Sequence, residues 1–135
     1  MGSRSLFGAD DREEALHLAD IGLRRAAARF AAAVLPGQAP RPGPQAPLAE
    51  LIAAYDVHVG TPDDVIASLQ ADTALARTTD IVFQVHSVDP PHEHILRSIE
   101  LTATQVAPAL GWVRKPVSVP ATLAPSPAER TPEPA

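Results

Sequence analysis

The chain has 135 residues, 45% of them hydrophobic, a length that suits one small globular domain and argues against two full ones. Eleven basic against sixteen acidic residues leave a net charge of −5; with 4% aromatics and no basic stripe, nucleic acid is excluded as a partner. The absence of cysteine removes disulfides, thiolate metal sites and a cysteine nucleophile.

The opening residues, MGSRSLFGADDREEA, turn acidic after one arginine and lack the apolar run of a signal peptide. No apolar run approaches the roughly 18 residues of a membrane helix, so a cytoplasmic location is expected. Fifteen prolines are the compositional oddity. Five lie in 36–47 and predict an extended loop, and six lie in 116–134 and predict a disordered tail over 113–135. The domain is therefore expected to occupy 1–112.

Ser5 to Ala9 has the makings of a short strand, with Leu6 and Phe7 its bulky residues. Asp10 followed by Glu13 has capping-box form and opens a helix expected to run to Val34 and to end at Pro36-Gly37. Leu16, Ala19, Leu23, Ala27, Phe30 and Val34 make its apolar stripe, with Asp20–Arg24 an i,i+4 pair on the solvent side. Pro47 to Ala54 predicts two helical turns, and the alternation in Tyr55 to Val59 a short strand. Gly60-Thr61-Pro62-Asp63-Asp64 is a sharp helix start, with Thr61 at the cap, proline at the first helical position and two carboxylates at the positive end of the dipole. That helix is expected to reach Arg77.

The segment Ile81 to His86 is β-favouring and apolar on nearly both faces. It leads through Ser87-Val88-Asp89-Pro90-Pro91 into a long amphipathic helix, as one strand–helix unit of a buried parallel sheet does. Gln84 and His86 interrupt the apolar pattern at the strand's C-terminal end, where ligands bind in parallel α/β folds. Two uses fit them: lining a pocket, or hydrogen-bonding neighbouring loop backbone. Asp89 is placed to cap the last helix. Its face of Ile95, Leu96, Ile99, Ala103, Val106 and Leu110 predicts packing along most of its length, with Trp112 closing the domain.

His86, His92 and His94 with Asp89 and Glu93 form the one histidine cluster. His92 and His94 sit two apart on a helix and diverge by about 200°, unlike an i,i+4 metal pair, so no metal site is expected. Ser87, His86 and Asp89 lack a nucleophile-elbow sequence and are not expected to form a triad. There is no glycine-rich phosphate loop.

VHVGTPDDVIASLQAD and DIVFQVHSVDPPHEHILRSIELTATQVAPAL together resemble the C-terminal end of the bacterial luciferase-like flavin-dependent monooxygenases. The closing helix matches that family's pattern at Ser98, Glu100, Leu101, Ala103, Val106, Pro108 and Leu110, and ADDREEAL is similar to its Ala-Asp-Thr-x-Glu-Glu-Ala segment. The resemblance implies an α/β fold that is part of a (β/α)₈ barrel, namely its last two or three strand–helix units, since a complete barrel needs about 250 residues. It implies a flavin-dependent oxidoreductase, represented by a C-terminal fragment inactive alone. Reduced FMN or a deazaflavin would be the cofactor, oxygen and a small molecule the substrates, and a flavin reductase the supplier of reduced cofactor. No catalytic residue carries over, because most of the family's contacts come from strands absent here. Gln84 and His86 are positional candidates for cofactor binding. A homo-oligomer, or pairing with a complementary chain, would cover the sheet edges such a piece leaves open. The alternative expectation is a non-catalytic α/β assembly or regulatory subunit derived from that fold.

Overall fold

A computed structural model describes residues 1–30, 37 and 39–115. Three strands, β1 (Gly2–Gly8), β2 (Val57–Gly60) and β3 (Ile81–Gln84), form one parallel sheet in the order β2-β1-β3. The two outer strands are staggered along β1. Its C-terminal half pairs with β2, from Ser5 opposite Val57 to Gly8 opposite Gly60, and its N-terminal half pairs with β3, from Gly2 opposite Ile81 to Ser5 opposite Gln84.

Two helices, α1 (Arg12–Phe30) and α2 (Leu48–Ala54), connect β1 to β2. The chain then recrosses β1 through α3 (Pro62–Ala71) and a 3₁₀ turn at Leu75–Arg77 to reach β3. After β3, α4 (His92–Leu101) runs through a π-helical segment, Thr102–Val106, into α5 (Ala107–Ala109).

Alternation along β1 divides the core in two. Phe7 points to one face, where it joins Ala15, Ala19, Leu23 and Ala27 of α1, Leu51 of α2, Val57 and Val88. Leu6 points to the other, against Val65 and Leu69 of α3, Leu75 and Val106. Both side chains are fully buried, each worth roughly 2–3 kcal/mol relative to exposure. Helices therefore cover both faces of the sheet around the middle strand.

Local chemistry sets the helix ends. Thr61 caps α3 as expected: its N–H and Oγ donate to Asp64 Oδ2 at 3.0 and 2.8 Å, and the Asp64 N–H donates back to Thr61 Oγ at 3.4 Å. At α1 the cap is Asp11, whose Oδ1 accepts from the Glu14 N–H at 2.9 Å, one residue later than predicted. Asp89, expected to cap α4, sits at φ 50° and pairs with Arg25; Pro91 occupies the cap position instead. In the last helix Thr102 Oγ and Thr104 Oγ donate to the Ser98 and Glu100 carbonyls at 2.7 Å each. Such back-bonds compete with the helical ladder, and Pro108 lacks an N–H to give it, which together account for the π turn.

The barrel expectation is corrected. In a (β/α)₈ barrel, strands follow chain order around the wall and helices lie only outside it. Here the first strand lies between the second and third, and both faces carry helices, so the described strands form an open, doubly wound three-stranded sheet. Three further expectations change. The segment 81–86 is a strand only to Gln84, and it is an exposed edge rather than a strand buried on both faces. The predicted third helix stops at Ala71 and resumes only as the 3₁₀ turn. The last helix buries Ser98 and Leu101 while Leu96 and Ile99 face solvent, and Trp112 is 55% exposed rather than closing the domain. The predicted end of α1 at Val34 and Pro36, and the tail from 116 on, lie outside the described residues.

Candidate functional site

In open parallel sheets, ligands bind beyond the C-terminal ends of the strands, where successive connections diverge. Here that place is between β1 and β3, and it is occupied by the protein's own groups. Ser98 Oγ, wholly buried, accepts a hydrogen bond from the Gly8 N–H at 3.0 Å, so α4 caps the end of β1. The next amide, Ala9 N–H, donates to the Gly60 carbonyl at 3.1 Å. These are the backbone donors that a phosphate or carboxylate would otherwise use.

The charges at this rim neutralise one another. Arg97 holds Asp10 in a two-pronged pair at 2.8 and 2.6 Å and also donates to Glu100 at 2.6 Å. Arg12 pairs with Asp64, and Arg25 with Asp89. Asp10 and Asp64 are held below the usual carboxylate range, Asp10 by the guanidinium of Arg97 and Asp64 by Arg12 and then Thr61. The Arg97 guanidinium is raised by Asp10 and Glu100. Two acidic residues also occupy the first turn of α1. An incoming anion meets satisfied cations and repelling carboxylates.

Gln84 and His86 are both exposed, on the strand end and in the turn after it, and neither lines a described cavity. Their backbone carbonyls accept bonds instead, from Ser87 Oγ at 3.3 Å and from the Asp89 N–H at 2.9 Å. Ser87 Oγ also lies 2.9 Å from Ser5 Oγ, away from both His86 and Asp89. His92 is exposed, while His94 Nδ1 lies 3.8 Å from Glu14. Among the described residues no three His, Asp or Glu side chains gather as a metal would require.

A second cluster, which the sequence reading passed over, lies at the opposite, N-terminal end of the strands. His58 on β2 is 6% exposed; its Nδ1 is 2.7 Å from Ser68 Oγ on α3, while its buried Nε2, 3.8 Å from Asp72 Oδ2, has no hydrogen-bond partner among the described residues. Asp72 is held by Arg4, Nε to Oδ2 at 2.5 Å and Nη2 to Oδ1 at 3.3 Å, with Asp56 3.5 Å from Arg4 Nε. Burial holds His58 below its ordinary pKa against the pull of Asp56 and Asp72. Asp72 is held low chiefly by Arg4. The cluster joins β1, β2 and the end of α3. Its carboxylate is committed to arginine, so Ser68 and His58 have no third member to orient them as a nucleophile pair needs. The signal in sequence is the polar residue in the alternating Tyr55-Asp56-Val57-His58-Val59, a buried position that demands a partner.

A groove of about 690 Å³ lies beside β3, lined by Leu69, Leu75, Ile81, Phe83, Ala103 and Trp112 and also by Asp72, Thr78 and Asp80 among others. No helix of the described residues is long and apolar enough to cross a membrane. Comparison with protein-family models finds no match, and comparison with curated proteins finds none.

Proposed function

We propose that the chain is a non-catalytic α/β assembly subunit, a module that works by packing against another chain. The observation that supports this reading most is the asymmetry between its two candidate surfaces. At the C-terminal rim of the sheet, Ser98 takes the Gly8 amide and each arginine is matched by a carboxylate. Along β3 and α4, by contrast, Ile81, Val82, Leu96, Ile99 and Trp112 stand between 36% and 55% exposed. Of these, Ile81 and Trp112 line one groove, and contiguous exposed apolar surface marks interaction sites.

A second reading is a flavin-dependent oxidoreductase of the luciferase-like type, its cofactor FMN or a deazaflavin. It draws on the resemblance of the 57–110 segment. Anaerobic titration of the chain with reduced FMN, followed by fluorescence, separates the two. The assembly reading expects no saturable binding at micromolar flavin; saturation there would overturn it in favour of the flavin reading.

A further inference from the structure

We infer that His58 is a proton-operated switch that moves the anchor of the α3 C-terminus from the middle strand of the sheet to β2. In the neutral arrangement Arg4 of β1 holds Asp72, the residue at the C-terminal cap of α3, by two hydrogen bonds. When His58 takes up a proton, its Nε2–H captures Asp72 Oδ2, and Arg4 turns to Asp56.

The geometry for this exchange is in place. His58 stands opposite Leu6 in the β1–β2 ladder and shares its face, against α3. Its Nδ1 lies 2.7 Å from Ser68 Oγ, which sets the ring so that the buried Nε2, without a partner among the described residues, is 3.8 Å from Asp72 Oδ2. A charge-assisted N–H···O bond is about 2.8 Å long, so a movement of about 1 Å completes it. Asp72 Oδ1 also accepts from the Ala74 N–H at 2.9 Å, a pivot about which Oδ2 can swing while the turn after α3 keeps its shape. Arg4 Nε already lies 3.5 Å from Asp56 Oδ2, which gives it a second carboxylate to take.

The charge of the cluster supplies the driving force. Among the described residues, the groups that face His58 are Arg4 from β1, Asp56 from the turn before β2, and Ser68 and Asp72 from α3; α1 and α2 pack on the opposite face, beside Val57. Two carboxylates therefore share one guanidinium. One of them, Asp72, sits at the negative end of the α3 dipole, where a carboxylate is disfavoured and needs a cation. One further positive charge gives each carboxylate a cation of its own, and His58 is the member of the cluster that can gain one near neutrality. Burial opposes the proton, which puts the exchange below the ordinary histidine value.

The test is proton–nitrogen NMR of the nitrogen-15-labelled full chain from about pH 7.5 to about pH 5, following the His58 imidazole and the Arg4 Nε–H together. The Arg4 signal is expected to move with the midpoint at which His58 gains its proton, and to stay flat in His58→Gln. Asp72→Asn should lower the His58 midpoint by about one unit, and Arg4→Gln should raise it by about as much, since one removes the capturing charge and the other its competitor. An Arg4 signal that stays flat while native His58 titrates, or that moves equally in His58→Gln, would overturn the switch. So would a midpoint that either of the other substitutions moves in the opposite direction or not at all, and so would a His58 that stays neutral until the chain unfolds. Should a variant fail to fold, the paired titration of His58 and Arg4 in the native chain decides by itself.

Discussion

The two edges of this sheet are made from similar short apolar strands and end up in opposite environments. β2 is buried at Val57, His58 and Gly60, whereas β3 is exposed at Ile81, Val82 and Gln84. Sequence hydrophobicity does not explain the difference, since Val-His-Val-Gly is no more apolar than Ile-Val-Phe-Gln. What differs is the company each strand keeps. β2 is preceded directly by α2 and followed directly by α3, which pack on opposite faces of the sheet. β3 is preceded by a 3₁₀ turn and followed by a proline turn, and the helix after it leaves to cap β1 through Ser98. Burial at an edge is a property of the connections.

The connection after β3 is also where the largest effect is expected. Gly22 of α1 faces the Val88 carbonyl so closely that a β-carbon there would lie 1.5 Å from the Val88 oxygen. Gly22→Ala must push this backbone away from α1, taking the wholly buried Val88 with it. A loss of about 3 kcal/mol or more is expected, read as a lowered urea midpoint. A loss below about 1 kcal/mol would mean that the segment after β3 is not tied to α1, and that the β3 edge is free to find other cover.

Next comes the tie between α4 and β1. Ser98→Ala leaves the buried Gly8 N–H without an acceptor and should cost about 1–3 kcal/mol. Glycine at 98 in place of alanine should do no better, because the loss lies in the hydrogen bond.

A pair of valines tests the comparison directly. Val57 is 6% exposed and Val82 48%. Val57→Ala should cost about 2 kcal/mol and Val82→Ala under about 0.5 kcal/mol in the monomer, by thermal melts at low concentration. Equal costs would show that β3 is covered after all.

Much of this architecture was legible in the sequence, and the failures have physical causes. The Thr61 cap was read correctly because every signal there is local: a hydroxyl, a proline and a carboxylate within four residues. β1 was underestimated as Ser5 to Ala9. Leu6 and Phe7 are its only bulky residues, and its place in the middle of the sheet comes from pairing with segments more than 50 positions away. The face of α4 was misread because Ser98 and Leu101, one polar, point inward, and the choice of face is settled by the Gly8 amide. The barrel expectation came with the family resemblance, and a barrel's strands pair in chain order. A parallel strand–helix unit reads the same in a barrel and in an open sheet, so local pattern does not distinguish them. At the candidate site, Gln84 and His86 were placed at the right end of the strand, but a strand that stops at Gln84 leaves both in solvent.

The smallest expected effect concerns the buried edge. His58 is kept neutral by burial, which lowers its pKa in the folded chain although Asp56 and Asp72 pull the other way. Below the unfolded histidine value of about 6.5, the unfolded chain binds a proton that the folded chain resists. Stability from this group is therefore complete above about pH 6.5 and declines as pH falls toward the lowered folded value. Asp72 and Asp10, also held low, add losses only further into the acid range, below the ordinary carboxylate value. Melting temperature followed from pH 7.5 to 5.5 should fall for the native chain, and His58→Gln should reduce that slope even if it lowers stability at every pH. An unchanged slope would mean that β2 opens to water readily enough to protonate His58 in place, and the contrast between the two edges would then be one of degree.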